Sequence, residues 1–164
     1  MSLQTFYKDI EEITTHSALI VEVELTGNSR KFYYGNTDWN VVEVEITKVH
    51  KGFEGLKSAK IQILEVASLN PAGNRAQNKH LLFLKRYSGP MFEDEDAAYI
   101  VTGVYQGNLR IGKNDILTYD PAKYNGYVSF QSDLDGQPLS VAEQKIRVAV
   151  SQTVTTPIVA GSSE

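Results

Sequence analysis

An alternation of apolar and polar positions dominates this chain, and it predicts β-strands. Between Trp39 and Val49 the apolar and polar residues alternate in a period of two, which directs one face to a core and the other to water. The same period runs through Ala18–Leu25 and Ala59–Val66. The apolar run His80–Tyr87 predicts a central strand covered on both faces. Shorter strands joined by Gly/Asn turns are predicted at Ala98–Gly103, Leu109–Ile111 and Ile116–Tyr119.

Helical periodicity is confined to the two ends of the chain. Apolar residues at helical spacing in Gln4–Thr15 predict a short amphipathic helix. A second helix is predicted over Ser140–Val150, where Ser140 and Glu143 have the spacing of a capping box. Residues 4–150 therefore form one predicted domain. The Thr/Ser/Val-rich segment 151–164 is predicted to be a flexible tail or linker.

Glycine-rich tripeptides and dipeptides predict where strands reverse. Gly27-Asn28-Ser29 predicts a turn, after which Lys31–Tyr34 would form a short partner strand. Gly52 follows the long strand and permits a sharp reversal there.

Composition narrows the classes of function. The 164 residues carry sixteen basic and twenty acidic side chains, a formal charge of −4, with no extended Lys/Arg cluster, which argues against nucleic acid as a partner. No segment approaches the roughly 20 apolar residues that span a bilayer. The absence of cysteine excludes disulfides, thiolate catalysis and Cys-based zinc sites. Met1-Ser2-Leu3 has the character of a cloning leader, so we expect an export signal to be missing from this sequence.

Two sets of carboxylates are candidates for a functional role. A consecutive acidic run offers hard oxygen ligands for a cation, although a solvated loop is the competing interpretation; it comprises Glu93, Asp94, Glu95 and Asp96. The carboxylates that alternate with core positions are predicted to form a solvated sheet face; they are Glu22, Glu24, Glu43 and Glu45. The three histidines, His16, His50 and His80, are far apart in sequence and are predicted to be surface or turn residues rather than metal ligands.

Aromatic residues near predicted loops form the candidate ligand-binding set: Tyr33, Tyr34, Trp39 and Tyr87. Exposed tyrosines can form a flat platform for a peptide or a sugar, whereas their alternative role is to cap the ends of a barrel. No nucleophile elbow or phosphate-binding glycine loop is present, so we predict no catalytic residues and no cofactor.

Four segments carry a resemblance to a known family: Ser17–Val23, Val44–Gly52, His80–Lys85 and Tyr99–Gly107. In their order the chain resembles the TIMP/netrin-like group of OB-fold barrels, in the cysteine-free form of exported and lipid-anchored proteins of Gram-positive bacteria. The resemblance implies a mainly β fold, a closed five-stranded barrel with an N-terminal and a C-terminal helix, and an extracellular or cell-surface location. The animal inhibitors of this group coordinate a protease zinc through an N-terminal cysteine, which this chain lacks.

The expected function is a non-enzymatic binding domain of an exported bacterial protein, with an unknown protein, peptide or glycan partner. The alternatives are a small carboxylate-dependent hydrolase, a structural spacer without a ligand, and a cysteine-independent inhibitor of a surface protease. A cytoplasmic location stays open from the sequence, because the absence of cysteine suits both compartments.

Overall fold

The computed structural model describes residues 7–65, 79–87, 98–102, 107–118 and 131–161. Seven strands lie between one N-terminal and two C-terminal helices in this part of the chain. The elements are α1 Ile10–Thr15, β1 Leu19–Tyr34, β2 Thr37–Lys51, β3 Lys60–Glu65, β4 Lys79–Arg86, β5 Ala98–Val101, β6 Asn108–Ile111, β7 Leu117–Thr118, α2 Gln131–Leu134 and α3 Leu139–Gly161.

Five of the strands close into a barrel. They follow the order β1-β2-β3-β5-β4, and β4 returns to pair with β1. All of these pairings are antiparallel except the parallel pair β3–β5. Closure removes the free edges that an open sheet would expose. The predicted fold class, a mainly β, OB-fold-like closed barrel with a helix at each end, is confirmed.

The strand β4 is shared by the two hydrophobic cores of the molecule. Its side chains alternate, so that Leu82 and Leu84 fill the barrel interior while Leu81 and Phe83 face outward into a second core. The second core is covered by α1, α3, β6 and β7, whose buried members include Ile13 and Ile146. The prediction that this strand is covered on both faces is confirmed.

The long strands β1 and β2 follow their predicted alternation inside the barrel. Val21 and Val23 of β1 lie in the barrel core with Val42, Val44 and Ile46 of β2, and all five are essentially inaccessible to solvent. The reversal at Gly52 also has the predicted geometry, because its φ is +123°.

The turn predicted at Gly27-Asn28-Ser29 is wrong. The strand β1 runs through this tripeptide as a bulge, marked by a register shift between Leu25 and Ser29. The carboxylate of Glu43 holds the bulge by accepting hydrogen bonds from Thr26 Oγ1 and Asn28 Nδ2, each at 2.8 Å. Glycine, with φ of +94° at Gly27, permits the bulge without ending the strand.

Beyond the bulge, β1 and β2 continue as a two-stranded arm, here defined as residues 29–39. In the described ranges β1 pairs with β4 only over Leu19–Glu24, and β2 pairs with β3 only from Asn40 onward. A two-residue turn closes the arm, with φ of 62° at Gly35 and 63° at Asn36, as in a type I′ hairpin. The β1 side of the arm has six residues, 29–34, which span roughly 20 Å, and the β2 side has three, 37–39.

Both terminal helices differ in extent from their predicted bounds. The helix α1 begins at Ile10, with Asp9 accepting a capping hydrogen bond from the backbone N–H of Glu12, and residues 4–6 lie outside the described ranges. The helix α3 continues to Gly161, so residues 151–161 are helical where a flexible tail was predicted. Valine and threonine lower helix propensity only slightly, and they do not end a helix that tertiary packing has already nucleated. Among the helices described, none is both long and apolar enough to cross a bilayer.

Candidate functional site

Three titratable side chains from three elements converge where α3 lies over the barrel. His50 Nε2 of β2 donates a hydrogen bond to Glu22 Oε2 of β1 at 2.6 Å and lies 3.6 Å from Glu143 Oε2 of α3. The three side chains are only 10–18% exposed. Their nitrogen and oxygen atoms all lie within 4.8 Å of one another. We refer to Glu22, His50 and Glu143 as the triad.

Local structure explains how each member reaches this point. The register pairs Glu22 with Lys48, so the outward face of the β1–β2 ladder presents Glu22 beside His50. Glu143 lies in the first turns of α3, one residue after the buried Ala142 that packs in the second core. Packing of α3 on that core therefore places the Glu143 carboxylate above the polar face of the strands.

Opposing effects set the ionisation of Glu22. Burial of the carboxyl raises its pKa, but the hydrogen bonds with His50 and Glu143 and the positive charges of His50 and Lys48 lower it. The attractive contributions win, so the pKa of Glu22 lies below its ordinary value. Glu22 is consequently a carboxylate at neutral pH, and the triad brings it close to a second acidic side chain.

A groove of about 560 Å³ opens beside the triad, between β2 and α3. Lys48 and Arg147 line it on the polar side, and Ile146 and Val150 contribute apolar surface. Lys48 Nζ contacts Glu143 Oε2 at 3.2 Å, but the lysine side chain is 56% exposed and can move into solvent. Small ligands and ions therefore have a direct path to Glu143 and His50.

The sequence prediction is wrong for Glu22, which was expected on a solvated sheet face and is only 14% exposed. His50 was expected to be a surface or turn residue; it does lie just before the reversal at Gly52, but its side chain is only 10% exposed. The β1–β2 register shifts in three places, so the residues that face α3 cannot be counted outward from the hairpin turn. The sequence signal that could have indicated the site is the pair of polar residues Lys48 and His50. They lie two positions apart on β2 and therefore on the same face of the strand.

The remaining histidines occupy different environments. His80, predicted to be a surface or turn residue, does lie near the start of β4 but is buried at 3% exposure, and its Nδ1 donates to Asn108 Oδ1 at 2.7 Å. His80 directly precedes the apolar run of β4 and is buried with it, and a buried polar ring requires a hydrogen-bond partner, which Asn108 provides. His16 is exposed, as predicted, and lies at the C-terminal end of α1 against the ring of Tyr7.

The candidate aromatic residues are divided between two ends of β1. Tyr33 and Trp39 lie on the arm in successive register positions, opposite Asp38 and Phe32, so they face opposite sides of the ladder. Tyr34 pairs with Thr37 beside the turn. Tyr87 follows β4, whose Leu84 pairs with Leu19 at the start of β1. The arm therefore groups Tyr33, Tyr34 and Trp39 and leaves Tyr87 at the far end of the barrel.

Exposure separates the members of the aromatic set further. The Tyr33 side chain is among the most exposed large apolar groups, at 67%, whereas Trp39 and Tyr87 are half-buried.

The predicted acidic cation site, Glu93, Asp94, Glu95 and Asp96, lies outside the described residues.

The chain is thus an OB-fold-like barrel with a projecting hairpin arm. A partly buried Glu-His-Glu triad lies under its C-terminal helix. Comparison with protein-family models and with curated proteins yields no match to this chain.

Proposed function

We propose that this chain is a non-enzymatic binding domain that contacts its partner through the arm. The observation that carries the proposal is the extension of β1 and β2 beyond the barrel, which in the described ranges has no strand partner apart from its own hairpin. A barrel needs strands no longer than its wall, and residues 32–39 pair only with each other in the described ranges, beyond the strands that close the barrel. The projecting hairpin therefore offers exposed side chains, Tyr33 among them, to a partner outside the barrel.

The side chains of the arm suit an interaction surface. Tyr33 is 67% exposed, and its hydroxyl reaches only across the turn, where it donates to Asn36 Oδ1 at 3.4 Å. Arg30 and Lys31 are exposed on the same strand. Tyrosine and arginine are enriched at the centres of protein interfaces, because each combines a large apolar area with a polar end. A peptide, a protein loop or a glycan with acidic or hydroxyl groups would complement this surface.

The charges on the arm also prevent the arm from pairing with another copy of itself. An exposed strand edge invites aggregation, and a charged side chain such as Lys31 is a common protection. A partner of opposite charge would be attracted by the same residues. The arm therefore favours a partner with acidic groups over a neutral one.

The resemblance to exported bacterial barrels supports the remaining part of the proposal, a position outside the cytoplasm. We infer a cell-surface or extracellular partner for the same reason. Neither the lack of cysteine nor the charge of −4 opposes this location.

A carboxylate-dependent hydrolase is the second candidate function, and the proximity of Glu22 and Glu143 is the observation that favours it. Paired carboxyl groups in a groove are the working groups of many glycoside hydrolases. A general acid, however, needs a raised pKa, and the pKa of Glu22 is lowered. The binding function is therefore the stronger proposal.

An array of peptides and glycans, probed with the whole chain, separates these possibilities. Binding without change of the ligand would support a binding domain, and Trp39→Ala and Tyr87→Ala variants would then show which end of β1 is used. Cleavage of a glycan that is lost in Glu143→Gln would favour the hydrolase. Failure to bind any member, with the chain folded by circular dichroism, would favour the structural spacer.

A further inference from the structure

We propose that Glu22, His50 and Glu143 form a binding site for a divalent transition-metal ion of the zinc type. The triad lies toward the end of the β1–β2 ladder that is remote from the arm, and the metal site does not depend on the proposed binding function. The triad offers one imidazole nitrogen and two carboxylate oxygens, a donor set that zinc accepts in sites with three protein ligands. An imidazole ligand argues against magnesium and calcium, which prefer oxygen donors alone.

The spacing of the ligand atoms is close to that of a zinc site. Bonds of about 2.0–2.1 Å in tetrahedral geometry separate neighbouring ligand atoms by roughly 3.3 Å. The His50 Nε2 to Glu143 Oε2 distance is 3.6 Å, and the His50 Nε2 to Glu22 Oε2 distance is 2.6 Å. Movements of less than about 1 Å would bring both spacings to the required value. Side-chain rotation supplies such movements without displacing a strand or a helix.

Three separate elements hold the triad, and this makes the site well ordered before a metal arrives. The strands β1 and β2 are paired at the triad, where Glu22 lies opposite Lys48, and α3 packs on the second core through Ala142 and Ile146. A site whose ligands stand on strands and on a packed helix loses little conformational entropy when it binds. The groove beside Glu143 leaves one side open for a water molecule or a further ligand.

Lys48 provides the most informative feature of the site. Its ammonium contacts Glu143 Oε2 at 3.2 Å and therefore competes with a cation for the same oxygen. Because Lys48 is 56% exposed, the entry of a metal ion would displace it into water at little cost. Removal of its charge should therefore strengthen metal binding, which a merely structural cluster would not predict.

Isothermal titration of the whole chain with ZnCl₂ at pH 7.5 tests the proposal. We expect one ion per chain, and we expect His50→Gln and Glu143→Gln each to weaken binding at least tenfold. His16→Gln is the matched control, because His16 is an exposed histidine outside the triad and should leave binding within twofold of the parent. Lys48→Met should tighten binding several-fold. Titration with CoCl₂ gives a second readout, since coordination by the triad would produce visible absorption bands that Glu143→Gln abolishes.

Several results would overturn the metal site. They are an absence of saturable zinc binding, an affinity that His16→Gln lowers as much as His50→Gln does, and an affinity that Lys48→Met leaves unchanged or lowers. Circular dichroism on each variant distinguishes lost ligands from lost fold. The Trp39→Ala and Tyr87→Ala variants used with the array lie outside the triad, so the two proposals fail independently.

Discussion

At the scale of single residues, Gly107 is held in one of the closest backbone contacts of the fold. Its N–H donates to the Thr102 carbonyl, and its own carbonyl accepts from the N–H of Phe83. A Cβ atom at this position would lie 2.7 Å from the Phe83 carbonyl oxygen and 2.9 Å from that of Thr102. Both neighbours are backbone atoms, one in β4 and one directly after β5, and cannot rotate away as a side chain could, so only glycine fits.

The substitution Gly107→Ala is therefore expected to destabilise the chain by about 1–3 kcal/mol, the usual cost of overpacking a tight contact. Urea denaturation measures this effect. Gly112→Ala is the matched control, because its added Cβ would meet its nearest neighbour at 3.4 Å and should cost less than about 1 kcal/mol. Equal losses for the two variants would contradict this account of Gly107.

The ionisation of Glu22 gives a second prediction, on pH. The folded pKa of Glu22 lies below the ordinary value of 4.5, so the carboxylate stabilises the fold fully above that pH. This contribution is lost as the pH falls through the lower folded pKa. Glu22→Gln should reduce the free energy of unfolding by about 1–2 kcal/mol at pH 7, a value discounted for solvent screening.

Measurement of unfolding from pH 7 to pH 3 checks the sign of this effect. The difference between the parent and Glu22→Gln should shrink as the pH falls below about 4.5. Glu24→Gln, on the same face of β1, should show a smaller difference that varies less with pH. A gap that widens toward low pH would show that the sign is wrong.

The burial of individual polar side chains is the feature that the sequence predicts least well. The polar face of β1 and β2 was visible as a pattern, but Glu22 and His50 on it were assigned to solvent. Their burial depends on the helix α3, which packs from more than ninety residues away in the chain, as in the Lys48 to Glu143 contact. Local periodicity contains no information on such a contact.

At the scale of elements, the bulge in β1 determines how the arm leaves the barrel. The Glu43 carboxylate accepts hydrogen bonds from Asn28 and Thr26, and these contacts lower its pKa. The bulge increases the twist of the strand and changes its direction between the barrel and the arm. Glu43 is thus a structural residue rather than a member of a plain solvated face.

Glu43→Ala is expected to lower the melting temperature by roughly 1–2 °C, because the hydrogen bonds it removes are solvent-accessible and a loss of 1 kcal/mol corresponds to roughly 2–4 °C at this chain length. Thermal melting at neutral pH checks the value. Glu45→Ala, two residues along β2, is the control and should change the melting temperature less. A larger fall for Glu45→Ala would contradict the role assigned to Glu43.

Most strands could be predicted because each has a strict alternation or an unbroken apolar run. The predicted strand His80–Tyr87 matches β4 within a residue at each end, and Ala59–Val66 matches β3 equally well. The bulge was mistaken for a turn because glycine and asparagine favour both structures. The helix α3 was underestimated because its last turns contain Pro157 and several β-branched residues, which are typical of linkers as well.

At the scale of the whole molecule, two apolar cores share the strand β4. One core fills the barrel, and the other lies between the barrel wall and the helices α1 and α3. The second core also fixes the position of Glu143 and therefore completes the triad. Stability and the candidate metal site are thus linked through α3.

Ile146→Ala should destabilise the chain by about 2–4 kcal/mol, because Ile146 is 1% exposed within the second core and its truncation leaves a cavity. Chemical denaturation measures the loss. Val148→Ala, on the same helix but 42% exposed, should cost less than about 1 kcal/mol. Similar losses for both variants would show that α3 does not close the second core.

The order of strands in the barrel could not be predicted from periodicity. Alternation predicted each strand, but the closing pair β1–β4 and the parallel pair β3–β5 join segments that are distant in sequence. No local pattern distinguishes these partners from others. The arm was missed for the same reason, since a strand that leaves the barrel has the same alternation as one that stays in it.

If the chain binds its partner through the arm, as we propose, two exposed aromatic residues that lie far apart along β1 and β2 should differ in their effect on affinity. Tyr33 on the arm is 67% exposed, and Phe53 beyond the other end of β2 is 73% exposed. The measurement is the affinity of the best array ligand for the parent, Tyr33→Ser and Phe53→Ser by isothermal titration. Because Tyr33 lies on the arm and Phe53 does not, we expect at least a tenfold loss of affinity for Tyr33→Ser and less than a twofold change for Phe53→Ser. Equal effects, or a larger loss for Phe53→Ser, would contradict binding through the arm.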